Sequence, residues 1–230
     1  MKLQKDTLAT QIKDALLDRI LKGTYKPGQR LVELPIAKEL GVSQAPVREA
    51  FQVLEAMRFV ESQPNRGTRV REISDCEMSQ STIVRGVLEE AAARRCMPAI
   101  QDRIEDLRAE VRGMMAAMTV QNLDAVAQHN VNFHRIIVHA CKNSVLVETW
   151  EGLAFEAKWR ILGERAANSV ILRGIQSCEP IIEAFQNGDA ILAGQLLRKQ
   201  TQSCAEVQAT ASIRMSAAEF QKALAEELAK

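Results

Sequence analysis

The chain has 230 residues, 47% hydrophobic and 26% charged, which excludes an intrinsically disordered protein and allows one large or two modest domains. No apolar run approaches the ~20 residues needed to span a bilayer, so we expect no membrane partner. The N-terminal stretch lacks an apolar signal-peptide core, and the 5 irregularly spaced cysteines indicate reduced thiols, so we expect a cytoplasmic protein.

The net charge of +1 is unevenly distributed along the chain. Residues 1–74 carry 13 Lys and Arg against 9 Asp and Glu, a net charge of +4, whereas the remainder carries 17 against 20, a net charge of −3. This asymmetry predicts a polyanion-binding domain, 1–74, followed by a second domain, 75–230.

The first domain is predicted to contain three helices and three short strands. The helices are expected at about 7–22, at about 33–40 and from the Ser43 cap to about Phe59, and the strands at about 29–32, 60–63 and 68–70. The first helix places Leu8, Ile12, Leu16 and Ile20 on one inward stripe. Gly41 ends the second helix and Ser43 caps the third after a tight connection, which is the spacing of a helix-turn-helix.

The third helix and the hairpin after it are typical of a recognition helix and a wing. Val47, Phe51 and Leu54 share the buried face, so Gln44 and Arg48 face solvent. Residues 64–67 form a turn between the last two strands and carry a cation at the tip. A polar helix start followed by a basic hairpin predicts a winged helix-turn-helix, although a purely structural helix–hairpin unit fits the same pattern.

Four motifs in this region closely resemble the DNA-binding domain of the GntR family of bacterial transcription regulators, over about residues 7–71. They are GxYxPGxRL from Gly23, AKELGVSxxPVREA from Ala37, LxAxxFV from Leu54 and NRGTxV from Asn65. The resemblance implies binding to a double-stranded DNA operator. The DNA-binding residues that we predict are Ser43, Gln44, Arg48, Asn65, Arg66 and Gly67.

Two positions depart from the family pattern. Gln44 and Leu34 stand where relatives commonly carry arginine, which predicts fewer phosphate or guanine contacts. Gln44 either reads adenine through its amide or is a solvated helix residue.

The second domain is predicted to be entirely helical. Helical patterns cover about 75–96, 99–118, 122–141, 144–166, 172–187 and 189–212, followed by a helix-prone tail. The segment 144–166 is expected to bend at Gly152 or to end near Gly163. Ser74 and Glu77 form a capping box at its start. The predicted fold class is therefore mainly α, with an N-terminal winged helix-turn-helix and a C-terminal all-α helical bundle.

This half resembles the all-helical FCD domain of the FadR branch, over about residues 76–205. The resemblance is carried by RxxLE from Arg85, NxxFH from Asn130, KNSxL from Lys142 and EAFxxGDxxxA from Glu183. It implies a domain that dimerises and binds a small organic effector in a central cavity, often with a metal ion.

The candidate effector site consists of polar residues on otherwise apolar helix faces. Asn130 and His134 share an inward stripe, and Cys178 and Gln200 lie on the apolar faces of two later helices. Buried polar groups need partners, which are one another, water or a ligand. The resemblance adds Arg85, whose guanidinium suits an effector carboxylate, although an ion pair with Glu89 explains it equally.

Metal-binding relatives carry Asp, His, His and His at four of these positions, where this chain has Asn130, His134, Cys178 and Gln200. Amides are poor ligands for a transition metal, so zinc or nickel would depend on His134 and Cys178 alone. We therefore expect direct binding of an organic effector. The alternative is a filled core in which His134 is a satisfied core histidine.

These observations predict an effector-responsive transcription regulator, a repressor that binds a palindromic operator as a homodimer. One alternative is a DNA-binding protein whose helical domain only dimerises. Another is an all-helical enzyme, which is disfavoured because the chain shows no nucleophile motif and no paired acid and base carboxylates.

Overall fold

The computed structural model describes residues 8–63, 66–155, 157–158 and 168–209. The chain divides between Ile73 and Ser74 into two compact units. The described helices and one small sheet confirm the predicted mainly α fold, with a winged helix-turn-helix first and a helical unit second. None of the described helices combines the length and apolar character that a membrane span requires.

The first unit contains three helices and a three-stranded sheet. Its elements are α1 (Leu8–Leu21), β1 (Arg30–Leu31), α2 (Glu33–Leu40), α3 (Gln44–Ala56), β2 (Val60–Gln63) and β3 (Gly67–Val70). The sheet is antiparallel in the order β1-β3-β2, with Val60 opposite Val70 and Gln63 opposite Gly67. Strands β2 and β3 therefore form the hairpin that the sequence predicts as the wing.

The core of this unit lies between α1 and α3. The predicted stripe of α1 is buried at Ile12, Leu16 and Ile20, which pack against the buried face of α3, whereas Leu8 at the start of the helix is exposed. Gly41 ends α2 with a φ of +68°, a left-handed conformation that glycine adopts without steric cost. This turn directs the chain into α3 after two residues, so the exposed face of α3 is fixed by the packing of α1 and α2.

The second unit is helical throughout its described residues. Its helices are α4 (Asp75–Ala93), α5 (Ile104–Thr119), α6 (Leu123–Ala140), α7 (Ser144–Gly152), α8 (Asn168–Gln176), α9 (Cys178–Gln186) and α10 (Ala190–Ala209), with a 3-10 turn at Gln101–Arg103. The Ser74 hydroxyl accepts the Glu77 N–H at 3.1 Å, as the predicted capping box requires.

Helices α4 and α10 approach closely because each carries a glycine at their contact. A Cβ added to Gly86 would lie 2.0 Å from the Oγ1 of Thr201. At Gly194 an added Cβ would lie 3.2 Å from the backbone oxygen of Glu90. The absence of side chains at these two positions sets the spacing of the two helices, which fixes α4 and its buried residues against α10.

Two predicted helices differ from the structure. The predicted helix 172–187 is two helices, α8 and α9, because Pro180 has no N–H to donate to Gln176 and its ring excludes that carbonyl. The predicted helix 144–166 ends at Gly152, the position where the sequence predicts a bend, and Ala154 has a φ of +48°. Residues 159–167, residues 210–212 of the predicted last helix, and the predicted C-terminal tail lie outside the described residues.

Candidate functional site

The exposed face of α3 is the candidate DNA-reading surface. Ser43 occupies the N-cap position with an extended backbone, although its hydroxyl makes no capping hydrogen bond. Gln44 and Arg48 are exposed one helical turn apart, while Val47 and Phe51 are buried beneath them. The amphipathic pattern of α3 thus holds the predicted polar residues on the solvent side of a rigid helix.

Arg48 is not a free cation, because α2 supplies it with a counter-charge. Its Nε lies 2.9 Å from Glu33 Oε1, and its Nη2 lies 2.7 Å from Glu33 Oε2. The hydrogen bond from Arg48 lowers the pKa of Glu33, so the carboxylate is charged at neutral pH. This pair was not found from the sequence, because 15 residues separate its members and nothing in the helical pattern couples them.

The wing contributes Arg66 and Gly67 to the same candidate interface. Arg66 is exposed, and its backbone N–H donates to the carbonyl of Gln63 at 3.0 Å. Gly67 has a φ of +76°, and an added Cβ would lie 3.1 Å from the Nε of Arg30. Glycine therefore lets Arg30 lie against the backbone of the wing. Asn65 lies outside the described residues.

The candidate effector site is organised around Glu89, a buried carboxylate on α4. Its Oε1 accepts hydrogen bonds from Arg85 Nε at 2.6 Å and from Trp150 Nε1 at 2.9 Å. Its Oε2 lies 3.0 Å from His134 Nδ1 on α6, without the alignment of a hydrogen bond. Two predicted effector residues, Arg85 and His134, are thus brought together by one carboxylate.

Burial and the neighbouring charges act in opposite directions on this network. Burial alone would raise the pKa of Glu89, but the Arg85 guanidinium outweighs it and holds that pKa well below its usual range. Burial and the Arg85 charge lower the pKa of His134 against the opposing effect of Glu89. The His134 ring is therefore neutral, and it contacts the charged Arg85–Glu89 pair from the buried face of α6.

Arg85 keeps part of its hydrogen-bonding capacity. Its Cζ lies 4.0 Å from the ring centre of Phe155, so the guanidinium stacks on an aromatic face. Among the described residues, its hydrogen bond comes from Nε, which leaves the two terminal nitrogens for other acceptors. A buried guanidinium with an open edge can bind a carboxylate in two-point fashion.

Cys178 and Gln200 form a second group. The Gln200 Nε2 donates to the carbonyl of Gly174 at 2.8 Å and lies 3.5 Å from Cys178 Sγ. The Gly174 carbonyl fixes the amide orientation, because a flipped amide would set two acceptors against each other. Gln200 Oε1 is therefore an acceptor, and it is buried without a hydrogen-bond partner in the described part of the chain.

One contact between α10 and α4 adjoins a member of each group along the chain. Thr201 packs against Gly86, and Gln200 and Arg85 are their respective neighbours in sequence. Asn130 is half-buried, and its Nδ2 lies 3.8 Å from the sulfur of Met114 on α5. Cys178 and Gln200 thus contact each other, whereas Asn130 is placed with the core of α5 and α6.

These side chains include few groups that hold a transition metal. Asn130 and Gln200 carry neutral amides, which are poor ligands, and the Nε2 of Gln200 donates to a backbone carbonyl. No group of three His, Cys, Asp or Glu side chains able to hold a metal ion occurs in the ranges that the structure describes.

A surface groove of about 460 Å³ between α5 and α6 contains none of the predicted effector residues. Its lining residues are Arg103, Asp106, Ala109, Glu110, Asn132, Arg135, Ile136 and His139. Its charges are largely paired, since Arg135 and His139 both contact Glu151, at 2.7 Å and 3.2 Å. The groove therefore offers little uncompensated charge to a ligand.

Trp150 is the member of the effector network that the sequence did not suggest. It reaches Glu89 across 61 residues, and a lone tryptophan on a helix predicts core packing rather than a partner. Glu89 itself was suggested as an ion-pair partner of Arg85 by their spacing of four residues on one helix.

Two protein families match the chain. The family of bacterial regulatory proteins named gntR matches residues 8–70, and the FCD domain matches residues 81–202. The probable D-xylose utilization operon transcriptional repressor of Paenarthrobacter nicotinovorans is 31% identical over 196 residues, 85% of this chain and 86% of that protein. The gluconate operon transcriptional repressor of Bacillus subtilis is 26% identical over 152 residues, 66% of this chain and 62% of that protein.

A solved structure gives a similar result. A proposed transcriptional regulator, GntR, from Rhodococcus sp. RHA1 superposes with a TM-score of 0.67 at 26% identity. The superposition covers 90% of this chain and 99% of that one, so both units have counterparts there.

Proposed function

This chain belongs to the GntR family of bacterial regulatory proteins, with an FCD domain as its second unit, and we propose that it is a cytoplasmic transcriptional repressor. It binds a palindromic operator as a homodimer, and a small organic carboxylate modulates that binding. The matching families and relatives are transcription regulators, not enzymes. The observation that carries the proposal is the combination of an exposed recognition helix with a separate unit that buries Arg85, Glu89 and His134.

The DNA half of the proposal is supported by the surface of the first unit. Gln44 and Arg48 project from one face of α3, and Arg66 is exposed on the adjacent wing. A recognition helix of this kind enters the major groove, with its N-terminal side chains near the base edges. The net charge of +4 over residues 1–74 favours a polyanion.

The effector half is supported by the open edge of Arg85 and the unpartnered acceptor of Gln200. The guanidinium edge of Arg85 suits a carboxylate, and the Oε1 of Gln200 suits a hydroxyl or amine donor. One relative is named for a gluconate operon, and gluconate has both groups. Direct binding without a metal is supported by Asn130 and Gln200, whose amides stand where metal-binding relatives carry ligands.

The homodimer is supported by an apolar stripe on α4. Ile83, Val84 and Val87 are 47%, 47% and 43% exposed on neighbouring positions of one helix face. Branched apolar side chains clustered in this way mark an interface, and a two-fold dimer would bury the same stripe from both subunits. Such symmetry matches an operator with two equivalent half-sites.

The proposal is tested first by selecting binding sites from a random duplex library with the purified protein. We expect an inverted repeat. The selected duplex is then used to measure release by D-gluconate, with the neutral polyol D-glucitol as the control. A carboxylate effector is supported if D-gluconate raises the melting temperature of the wild-type protein. The Arg85→Met variant should lose this stabilisation but should still bind the duplex. Stabilisation by the polyol alone overturns that part of the proposal.

A broader panel of small carboxylates separates the remaining alternatives. If none of them changes melting or DNA binding, the second unit is a dimerisation module. If the selection yields no sequence, the DNA-binding function itself is wrong.

A further inference from the structure

The ion pair between Glu33 and Arg48 joins the two helices of the helix-turn-helix at its exposed surface. Glu33 begins α2, and Arg48 lies in the first half of α3. The side chains are 26% and 63% exposed, so the pair is accessible to a ligand rather than part of the core. A carboxylate at this surface opposes a polyanion, and its presence therefore requires an explanation.

The geometry leaves one edge of the guanidinium open. Glu33 accepts from the Nε and Nη2 of Arg48, at 2.9 Å and 2.7 Å. The remaining edge, formed by Nη1 and the second hydrogen of Nη2, presents two parallel donors. Such an edge matches O6 and N7 of guanine, or two oxygens of a phosphate.

We propose that Glu33 is a positioning residue of the DNA interface, which holds Arg48 with this open edge directed at the operator. The proposal rests on the DNA-binding function proposed above. A long exposed side chain normally loses rotational freedom when it binds, and a two-point ion pair removes much of that loss beforehand. Glu33 thereby acts on operator recognition through Arg48 without contacting a base.

The negative charge of Glu33 has a second effect, which acts on non-specific DNA. Where Arg48 finds no matching acceptor, the carboxylate partly cancels the attraction to phosphates and weakens binding. Glu33 therefore increases the ratio of operator affinity to non-specific affinity in two ways. It strengthens binding to the operator, and it weakens binding to other DNA. A residue that only stabilised the fold would not change this ratio.

The test compares Glu33→Gln with the wild-type chain on two duplexes at one salt concentration. One duplex is the operator selected as above, and the other has the same composition in scrambled order. Glutamine keeps the shape of glutamate but loses the charge that holds the guanidinium. We expect affinity for the operator to fall about tenfold, the loss of one moderate base contact, and affinity for the scrambled duplex to stay level or rise.

Glu39→Gln is the matched control. Glu39 lies on the same helix and accepts a hydrogen bond from Arg19 Nη2 at 2.6 Å, but Arg19 belongs to α1 rather than to the recognition helix. This variant removes the same charge from α2. We expect its two affinities to move together, which leaves their ratio unchanged.

A double-mutant cycle identifies the route of the effect. After Arg48→Ala, adding Glu33→Gln should cause no further loss of operator affinity, because the residue that Glu33 positions is gone. Melting curves of each variant verify that the first unit is folded. Additive losses, or a Glu33→Gln variant that binds the operator as tightly as wild type with the same ratio, would overturn the proposal. Failure of the wild-type chain to select any sequence would refute the DNA-binding function instead.

Discussion

At the scale of single residues, the buried Arg85–Glu89 pair makes a prediction about stability. Glu89→Gln removes the charge that compensates a guanidinium that is only 4% exposed. We expect the free energy of unfolding of the second unit to fall by about 3 kcal/mol, because breaking a buried pair leaves an uncompensated charge. Urea denaturation followed by tryptophan fluorescence measures the loss.

Glu90→Gln provides the control, because the adjacent carboxylate makes partly exposed pairs with Arg94 and Arg198. Its cost should stay below about 1 kcal/mol. Removing both buried charges, with Arg85→Met added to Glu89→Gln, should recover part of the loss. If Glu89→Gln and Glu90→Gln lower the free energy of unfolding equally, burial does not strengthen the contribution of the Arg85–Glu89 pair.

The same network predicts that acid destabilises the second unit. The pKa of His134 is lowered in the fold, so the neutral ring is favoured and its contribution is lost as the pH falls below about 6.5. The pKa of Glu89 is also lowered, so its contribution is present above about pH 4.3 and is lost below that value. Urea midpoints between pH 8 and pH 5 should therefore decrease towards acid, and His134→Gln should flatten this decrease. A midpoint that rises towards pH 5 contradicts the assignment.

At the scale of elements, the contact between α4 and α10 depends on Gly86. Gly86→Ala would place a methyl group against the Oγ1 of Thr201, so either the Thr201 side chain must rotate or the helices must separate. We expect a net loss of about 1–3 kcal/mol of unfolding free energy even after the gain in helix propensity. Adding Thr201→Gly should recover part of that loss, and melting of the purified variants measures both effects.

Gly174→Ala is the corresponding control in α8. An added Cβ there has nothing within 4 Å, so the change should be neutral or stabilising by up to about 1 kcal/mol. A Gly86→Ala variant as stable as Gly174→Ala would mean that the contact between α4 and α10 tolerates a side chain.

Elements bounded by local signals could be predicted from the sequence, whereas contacts between distant elements could not. Ser74 with Glu77, and Gly41 before α3, mark boundaries that the structure confirms. The break before Pro180 was missed because the apolar pattern continues through it, although the missing N–H was readable. The bonds of Trp150 to Glu89 and of Arg48 to Glu33 arise only from tertiary packing, which helical periodicity does not encode.

At the scale of the whole molecule, the α4 stripe predicts how subunits associate. Val84→Glu places a charge in the stripe that the proposed dimer buries, so the protein should become monomeric at micromolar concentration. Sedimentation velocity measures the change. Val145→Glu on α7 is the control, because Val145 is 70% exposed and lies outside that stripe. A wild-type chain that is monomeric with and without operator would contradict the proposed homodimer.

The donor set also predicts the response of the whole chain to ligands. Treatment with a chelator should barely change the melting temperature, because Asn130 and Gln200 carry neutral amides, which are poor metal ligands. A matching organic effector at a hundred times its dissociation constant should add roughly 2.7 kcal/mol of stability. Stoichiometric zinc or nickel in carefully purified protein, with stability lost on chelation, would show that His134 and Cys178 hold a metal after all.

The glycine contact of α4 has a mechanical consequence. Helix α4 begins at Asp75, directly after the boundary between the two units, and it carries Arg85 and Glu89 beside the point where Thr201 meets Gly86. A helix rises about 1.5 Å per residue, so this contact lies about 16 Å from the first turn of α4. A tilt of α4 by about 5° about the contact would displace that turn by about 1.4 Å. One continuous helix thus connects the effector network to the boundary of the second unit.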